Sequence, residues 1–259
     1  MMLYTFDGTF DGLLSCVFDA FARKEDVTEV LRTWDETPLF SLDAMRHVET
    51  DLTHARRVWL KLEKCVSRTV LNSLVKSFLH APVEVSFYST LFRFICRAVI
   101  SETRIEGDFG DADVLAVLNN SRKVSYEASR MRQFVRFQKA VDGTYFAMIE
   151  PLYDVLPLAI GHFVDRFADS RFIIYDRARD YGFFYDGNES RRIVLSSDAP
   201  HMGPGKLAET IADADEAMFK QLWRTYFNAT AIPERTNPRK QRQDMPRRFW
   251  KYLTEVNGL

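Results

Sequence analysis

The period of the hydrophobic pattern changes along the chain, and each period predicts a different element. The opening residues "LYTF" alternate in polarity, which predicts a short strand. "DGT" follows as a turn, and apolar residues then recur at helical spacing from Phe10 to Phe21. Asp7 or Thr9 can cap that helix, because their side-chain oxygens accept hydrogen bonds from free backbone N–H groups. The pattern therefore predicts a strand, a tight turn and an amphipathic helix.

Two further helical patterns follow in the first half of the chain. The first covers about residues 54–80, where apolar positions such as Leu62 and Leu74 recur at helical spacing. The second runs roughly from Ser86 to Ile100. "EGDFGDAD" then interrupts the pattern with glycine and aspartate, which is typical of a loop or a domain boundary. We therefore expect residues 1–106 to be a mostly helical part.

The hydrophobic pattern in the second half of the chain is typical of strands. "FVRFQKA", "DG" and "TYFAMIEP" form the strongest hairpin signal, because Asp-Gly suits a type I′ turn. "DVLPLAIGHFVDRFAD" predicts a helix, "RFIIYDRARDYGFFYDG" a second hairpin, and "RRIVLSS" a further strand. The order hairpin–helix–hairpin favours an antiparallel sheet. The predicted fold class is α+β, with an antiparallel sheet built from two β-hairpins, helices packed on it, and a mostly helical N-terminal part.

The last part of the chain is predicted to be helical again. "SDAPHMGPGK" is typical of an irregular loop, and the residues from Lys206 to Asn228 have a helical pattern. Prolines then break the chain before a final short helix that begins at about Pro246, since proline is favoured in the first turn of a helix.

Charge is spread unevenly over a chain of 259 residues whose formal net charge is −1. Residues 7–51 hold eleven acids and four cations, whereas residues 122–139 hold six cations and one acid. Seven more cations lie from Arg235 to Lys251. Such asymmetry indicates charged partners and does not bear on the fold.

The two basic segments are candidate contacts for nucleic acid, because phosphate groups need only such cations. A solvated helix face is the alternative interpretation of both. Trp250 could stack on a base, but its spacing from Leu253 equally suits an anchor in the core. The candidate nucleic-acid-binding residues are Arg130, Arg132, Arg136, Arg239, Arg242, Arg247, Arg248, Lys251 and Trp250.

Catalytic residues are unknown from the sequence, and three side chains are candidates. His162 lies on a predicted helix with Asp165 and Arg166 as helical neighbours, and such a surface could carry out acid–base chemistry. Glu150 and Asp154 flank a strand-to-helix turn as a carboxylate pair. The plainer alternatives are a surface histidine for His162 and a helix cap for Asp154.

Several classes of protein are not expected. No His/Cys spacing fits a zinc site, and no motif indicates a cofactor. No apolar run is long enough to span a bilayer, and the N-terminus lacks the features of a signal peptide. Cys16, Cys65 and Cys96 are far apart and odd in number, which is typical of reduced thiols. We therefore expect a cytoplasmic protein without a membrane span, a metal or a cofactor.

Five stretches carry a resemblance to a known family. They are "YTFDGTFDGLLSCVFDAF", "SYEASRMRQFVRF", "DGTYFAMIEPLYDVLPLAIGHFVDRFAD", "FIIYDRARDYGFFYDG" and "ERTNPRKQRQDMPRRFWKYLTE", in this order. Together they resemble a bacterial family of probable DNA-metabolism or DNA-repair proteins whose defining domain is of unknown function. The resemblance covers nearly the whole chain. It implies one family domain over residues 1–259. The break at "EGDFGDAD" separately allows a subdivision into the mostly helical part, residues 1–106, and a sheet-containing part, residues 107–259.

The resemblance also implies a role. Members of the family are encoded beside a radical S-adenosylmethionine protein of DNA-repair type, and some are fused to a uracil-DNA-glycosylase-like domain that this chain is too short to carry. The implied function is a DNA-repair or DNA-metabolism accessory protein that binds DNA and works with the radical S-adenosylmethionine partner. One alternative is a glycosylase-like enzyme that acts on a damaged or modified nucleobase. Another is a protein-docking module without DNA contact.

Overall fold

A computed structural model describes residues 2–35, 44–80, 84–101, 104–195, 213, 215–230 and 237–253. The chain divides into two compact units, Met1–Ser125 (unit 1) and Tyr126–Leu259 (unit 2). None of the helices in the described ranges is long and apolar enough to cross a membrane. The predicted irregular loop, residues 197–206, lies outside the described residues.

Unit 1 combines a small parallel sheet with helices. β1 is the central strand and pairs in parallel with both β2 and β3. α5 begins in unit 1 and ends in unit 2. The elements are β1 (Met2–Phe6), α1 (Phe10–Arg23), β2 (Val27–Arg32), β3 (Ala44–His47), α2 (Leu52–Cys65), α3 (Arg68–Phe78), α4 (Phe87–Ile100), a 3-10 turn (Ile105–Gly107) and α5 (Ala112–Phe134).

The predicted strand, turn and helix at the N-terminus match the structure. Gly8 has a φ of +72°, a left-handed conformation that glycine adopts without steric cost. The Thr9 side chain then caps α1, because its Oγ1 accepts a hydrogen bond of 2.9 Å from the Gly12 N–H. The Asp7 carboxylate in turn accepts a hydrogen bond of 3.0 Å from the Thr9 N–H.

The helical pattern over residues 54–80 is divided into two helices. α2 ends at Cys65, Val66 is extended, and Ser67 caps α3 by accepting a hydrogen bond from the Val70 N–H. The apolar stripe continues through the break, with both Leu62 and Leu74 fully buried in the core of unit 1. A pattern of apolar residues therefore does not locate such a break, because both helices bury the same kind of face.

Unit 2 is built on a five-stranded sheet with the strand order β4-β5-β6-β7-β8. Its core includes Phe146, Met148 and Tyr175 from the sheet, together with Tyr252 from the last described residues of the chain. The elements are β4 (Gln138–Lys139), β5 (Tyr145–Ile149), α6 (Leu156–Arg166), β6 (Phe172–Asp176), β7 (Tyr181–Tyr185), β8 (Ser190–Ile193), α7 (Glu216–Thr230), α8 (Pro238–Asp244) and α9 (Arg247–Trp250).

The α+β class fits the structure, but the prediction of an antiparallel sheet built from two hairpins is wrong. The sheet of unit 2 is mixed, because β5 and β6 pair in parallel while the other neighbouring pairs are antiparallel. α6 lies between β5 and β6 in the chain, and a helical crossover is what joins parallel strands. The predicted N-terminal part likewise contains a parallel sheet, in which α1 connects β1 to β2.

Candidate functional site

A pocket of about 320 Å³ in unit 2 is lined by cationic and polar side chains. We call it the cationic pocket. None of the lining residues that the structure describes is acidic. Its lining comprises Arg132, Gln133, Val135, Arg136, Phe137, His162, Phe163, Arg166 and Phe167.

Two stretches of chain supply the cations of this pocket. Arg132 lies in the last turn of α5, and Arg136 follows shortly after the helix ends. His162 and Arg166 lie four residues apart on α6, so a helix places them on the same face. The pocket therefore combines cations that are separated by about thirty positions in the sequence.

An aromatic cluster holds the two stretches together. The ring of Phe137 packs against Phe163 and Phe167 of α6, with centroid separations of 5.9 and 5.0 Å. It also packs against Phe172 of β6 at 5.7 Å. All three contacts are edge-to-face, an arrangement that aromatic rings favour. Because Phe137 directly follows Arg136, this packing fixes the chain after α5 against α6.

Arg132 and Arg166 use few of their donors within the described part of unit 2. Arg132 donates one hydrogen bond of 3.1 Å to Ser129, and the Arg166 guanidinium lies 5.9 Å from the Phe167 ring centre. Arg136 donates to backbone carbonyls, at 3.0 Å in the case of Gln133. In the described part of the chain, neither Arg132 nor Arg166 forms an ion pair with a carboxylate. Their charge is therefore available to an anionic ligand.

In the C-terminal basic segment, by contrast, cations form ion pairs with carboxylates. Arg248 forms an ion pair with Glu127 of α5, whose side chain is only 2% exposed. Glu127 also accepts a hydrogen bond of 2.9 Å from the Leu152 N–H. Since a buried carboxylate needs a partner, Arg248 acts as its structural counter-charge.

Lys251 is engaged in a similar way. It pairs with Glu150, which follows β5, and Arg177 lies 3.7 Å from the same carboxylate. Burial alone would raise the pKa of Glu150, but Lys251, Tyr252 and Arg177 together outweigh burial and lower it. We call residues 246–253, with these two ion pairs, the C-terminal anchor.

A third group of charges lies where β5 and β6 end. Asp176 is fully buried and pairs with Arg179 at 2.8 Å. Arg179 also donates to the carbonyls of Pro151 and Leu152, at 3.1 and 2.9 Å. Burial raises the pKa of Asp176, although Arg179 opposes the shift. These bonds hold the loop after β5 in place.

The three predicted catalytic candidates are not assembled at one place in the described residues. His162 lines the cationic pocket, whereas Glu150 pairs with Lys251, and neither Glu150 nor Asp154 is among the lining residues. The Asp154 carboxylate accepts a hydrogen bond from the Tyr181 hydroxyl. α6 begins without a side-chain capping bond, so the expected capping role of Asp154 is not seen either.

Three other predicted nucleic-acid residues lie near or on α8. Arg130 donates a hydrogen bond of 3.3 Å to the carbonyl of Gln243. Arg242 donates one of 3.0 Å to the carbonyl of Pro238, and Arg239 is exposed. None of the three lines the cationic pocket.

Trp250 and Arg247 belong to the C-terminal anchor. The Trp250 indole is half-buried and donates a hydrogen bond of 3.0 Å to the carbonyl of Met245. The exposed Arg247 guanidinium lies 5.8 Å from the centre of that indole. Phe249 and Leu253 are buried beside them. This arrangement corresponds to the interpretation of Trp250 as part of an anchor.

Two residues of these sites were not singled out from the sequence. Arg166 was noted only as a neighbour of His162, although that spacing of four was the signal for a shared face. Glu127 is the one acid within the basic run of residues 122–139, and a lone acid in such a run signals a structural ion pair. Within the described ranges, no three His, Cys, Asp or Glu side chains converge as ligands for a metal ion.

Comparisons with known proteins place the chain in a family. No curated protein matches it. PggH from Vibrio cholerae, a pGpG-specific phosphodiesterase, is similar at 12% identity over 89% of this chain and 99% of that chain, with a TM-score of 0.34. A score this low carries no conclusion about fold or function. The model of DUF4130, a domain of unknown function, matches residues 86–255, which is more than half of the chain. The chain therefore belongs to the DUF4130 family.

Proposed function

We propose that this protein binds the phosphate groups of DNA through the cationic pocket. The observation that carries the proposal is the convergence of Arg132, Arg136, Arg166 and His162 on one pocket whose described lining has no acid. Arginine suits this role, because its planar guanidinium donates paired hydrogen bonds to phosphate oxygens. Contacts to phosphate carry no sequence information, so we expect binding without strong sequence preference.

The proposed context is DNA repair or DNA metabolism in the cytoplasm. It rests on the resemblance described above, in which the protein is the accessory member of a pair and the radical S-adenosylmethionine protein is its partner. The free thiols Cys16, Cys65 and Cys96 suit a reducing compartment. In this proposal the chain holds the DNA while the partner carries out the chemistry.

The test is the salt dependence of DNA binding. Binding of a labelled single-stranded oligonucleotide is measured by fluorescence anisotropy between about 50 and 200 mM salt. Each cation that contacts phosphate on a single strand contributes about 0.7 to the slope of log K against log salt. The variant Arg132→Gln/Arg166→Gln removes two such cations, so we expect it to bind more weakly and with a slope smaller by about 1.4.

A matched control removes two charges elsewhere. Lys61 and Lys64 are exposed cations on α2, and the variant Lys61→Gln/Lys64→Gln makes the same change in net charge. We expect it to keep the affinity and the slope of the unaltered protein. The proposal fails if no oligonucleotide binds at low salt, or if both double variants lose the same affinity and slope.

A protein-docking function is a second candidate, because α7 carries a stripe of exposed apolar side chains. Phe219 lies three and four positions before Leu222 and Trp223, and Tyr226 lies four and three positions after them, so the four side chains share one face of the helix. Each is at least 40% exposed. The Arg136 guanidinium lies 5.8 Å from the Trp223 ring centre, so this face of α7 adjoins the cationic pocket. We propose that it contacts the radical S-adenosylmethionine partner.

Copurification tests this second candidate. The partner is co-expressed with the unaltered chain or with the variant Phe219→Ser/Leu222→Ser, and recovery of the complex is compared. We expect the variant to lose the partner while its DNA binding stays within about twofold, since neither residue carries charge. Equal recovery of the partner with both chains would exclude α7 as the docking face.

A further inference from the structure

The size of the cationic pocket limits what it can hold. Its volume of about 320 Å³ lies at the lower end of the range of roughly 300–1,000 Å³ found for small-molecule sites. A duplex presents charge along a long surface, with one phosphate for about every 1.7 Å of helix axis. The pocket therefore has room for one phosphate group and the nucleotide attached to it, rather than for a length of duplex.

The charge of the pocket limits the type of phosphate. The guanidiniums of Arg132 and Arg166 share one recess and repel each other, and in the described lining no carboxylate relieves that repulsion. An internal phosphodiester brings one negative charge and two non-bridging oxygens. A phosphate monoester brings about 1.5 to 2 negative charges at pH 7 and three acceptor oxygens. The two positive charges of Arg132 and Arg166 therefore match the monoester better than the diester.

The position of the cations also favours a phosphate at the end of a strand. They come from two separate stretches of chain, the end of α5 and α6, and the packed rings of Phe137, Phe163 and Phe167 complete the lining of the recess. An internal phosphate carries a nucleotide on each side, and both must leave such a recess. A phosphate at the end of a strand carries only one, so it can enter with its strand leading outwards.

We propose that the cationic pocket binds the terminal phosphate monoester of a nucleic-acid strand. This inference rests on the proposed function and narrows it, because it names the ends of strands as the ligand. Arg132 and Arg166 donate hydrogen bonds to the terminal oxygens, and His162 of α6 adds a ring nitrogen to the lining. A protein with this preference recognises nicks, gaps and processed ends rather than intact duplex.

The experiment uses oligonucleotides of one sequence with a 5′-phosphate, with a 3′-phosphate, or with hydroxyl groups at both ends. Their affinities for the full-length chain are measured at fixed salt, with inorganic phosphate as a competitor. We expect the strand with one of the two phosphorylated ends to bind about tenfold more tightly than the hydroxyl-ended strand, because charge-assisted hydrogen bonds to a dianion are strong. Inorganic phosphate should remove that preference, and the phosphorylated end that binds more tightly identifies the strand polarity.

Variants separate this inference from the proposed function. Arg166→Gln should reduce the preference for the phosphorylated end to twofold or less, whereas Lys61→Gln should keep it. Equal binding of all three strands, with loss of affinity in Arg132→Gln/Arg166→Gln, overturns the terminal-phosphate inference and leaves the proposed function standing. A preference that persists in Arg132→Gln/Arg166→Gln also overturns it. Absence of binding to every strand overturns both.

Discussion

The cationic pocket and the C-terminal anchor both come from basic stretches of sequence, yet their charges are used differently. In the described residues, Arg132 and Arg166 of the pocket form no ion pair with a carboxylate. In the anchor, Arg248 pairs with the buried Glu127. A cation with a buried counter-ion stabilises the fold, and a cation in a recess whose described lining holds no acid is available to a ligand. The number of cations in a stretch does not distinguish these two uses, because the distinction depends on where the acids lie.

The cost of removing a cation also differs between the C-terminal anchor and the cationic pocket. Glu127 is almost fully buried, so removing its partner leaves an uncompensated charge in a poorly solvated site. Arg132 and Arg166 of the pocket are exposed, and water solvates them in the absence of a ligand. Substitutions in the anchor should therefore mainly lower stability, while substitutions in the pocket should mainly lower affinity for anions.

The largest expected effect is on stability, from Arg248→Ala. Breaking a buried ion pair from one side costs about 3–5 kcal/mol, and we expect a loss of about 3 kcal/mol in the free energy of unfolding because Arg248 is partly exposed. Urea unfolding at pH 7 measures it. Arg247→Ala is the control, since Arg247 is exposed and should change stability by no more than about 0.5 kcal/mol. Equal losses in the two variants would remove the distinction between structural and free cations.

A smaller and pH-dependent effect is expected at the other ion pair of the anchor. The folded-state pKa of Glu150 is lowered from its ordinary value of 4.5, with Lys251 as a cause of the lowering. Its contribution to stability is therefore fully present above pH 4.5 and is lost as the pH falls through the lower folded-state pKa.

Lys251→Met tests this contribution. We expect the variant to be about 1 kcal/mol less stable than the unaltered protein at pH 7, and the difference to shrink as the pH falls below 4.5. The measurement is urea unfolding at a series of pH values. Lys240→Met is the control, because the pair of Lys240 and Asp244 is about 60% exposed on both sides and should contribute little at any pH. A difference for Lys251→Met that stays constant down to pH 3 would contradict the assignment.

In the cationic pocket we expect substitutions to have a small effect on stability, opposite in sign to the effect in the C-terminal anchor. Arg132→Gln/Arg166→Gln removes two mutually repelling charges that have no carboxylate partner in the described residues. We expect its stability to be unchanged or higher by up to about 0.5 kcal/mol, even though its DNA affinity falls. Thermal unfolding at low salt measures the difference, because salt screens such repulsion. A clear loss of stability would mean that these arginines also have a structural role.

The local elements could be predicted from the sequence because their signals are local. The turn around Gly8, the cap at Thr9 and the two hairpins each depend on a few consecutive residues. The parallel pairing of β5 with β6 could not be predicted in this way, because it depends on which edge the chain reaches after α6. The predicted order of strand, helix and strand favours parallel pairing of these two strands, but it does not show that they are neighbours in the sheet.

The assembly of the candidate site could not be predicted from local signals in the sequence either. Arg132, Arg136 and His162 could be named from charge and helical spacing, but as members of separate groups. Their convergence depends on Phe137 packing against α6, which is a contact between residues distant in sequence. Glu127 could not be assigned to Arg248 for the same reason, since 121 positions separate them.

The smallest expected effect comes from α8, whose cations were predicted to contact nucleic acid. Arg239 is exposed and does not line the cationic pocket. We propose that it attracts DNA at a distance, so Arg239→Gln should weaken binding by only about twofold at low salt and not measurably near physiological salt, where the screening length is about 8 Å. Anisotropy titrations at both salt concentrations, beside Arg166→Gln, measure the difference. If Arg239→Gln proved as damaging as Arg166→Gln at both concentrations, α8 would be a direct contact, and the binding surface would extend beyond the pocket along the C-terminal part of the chain.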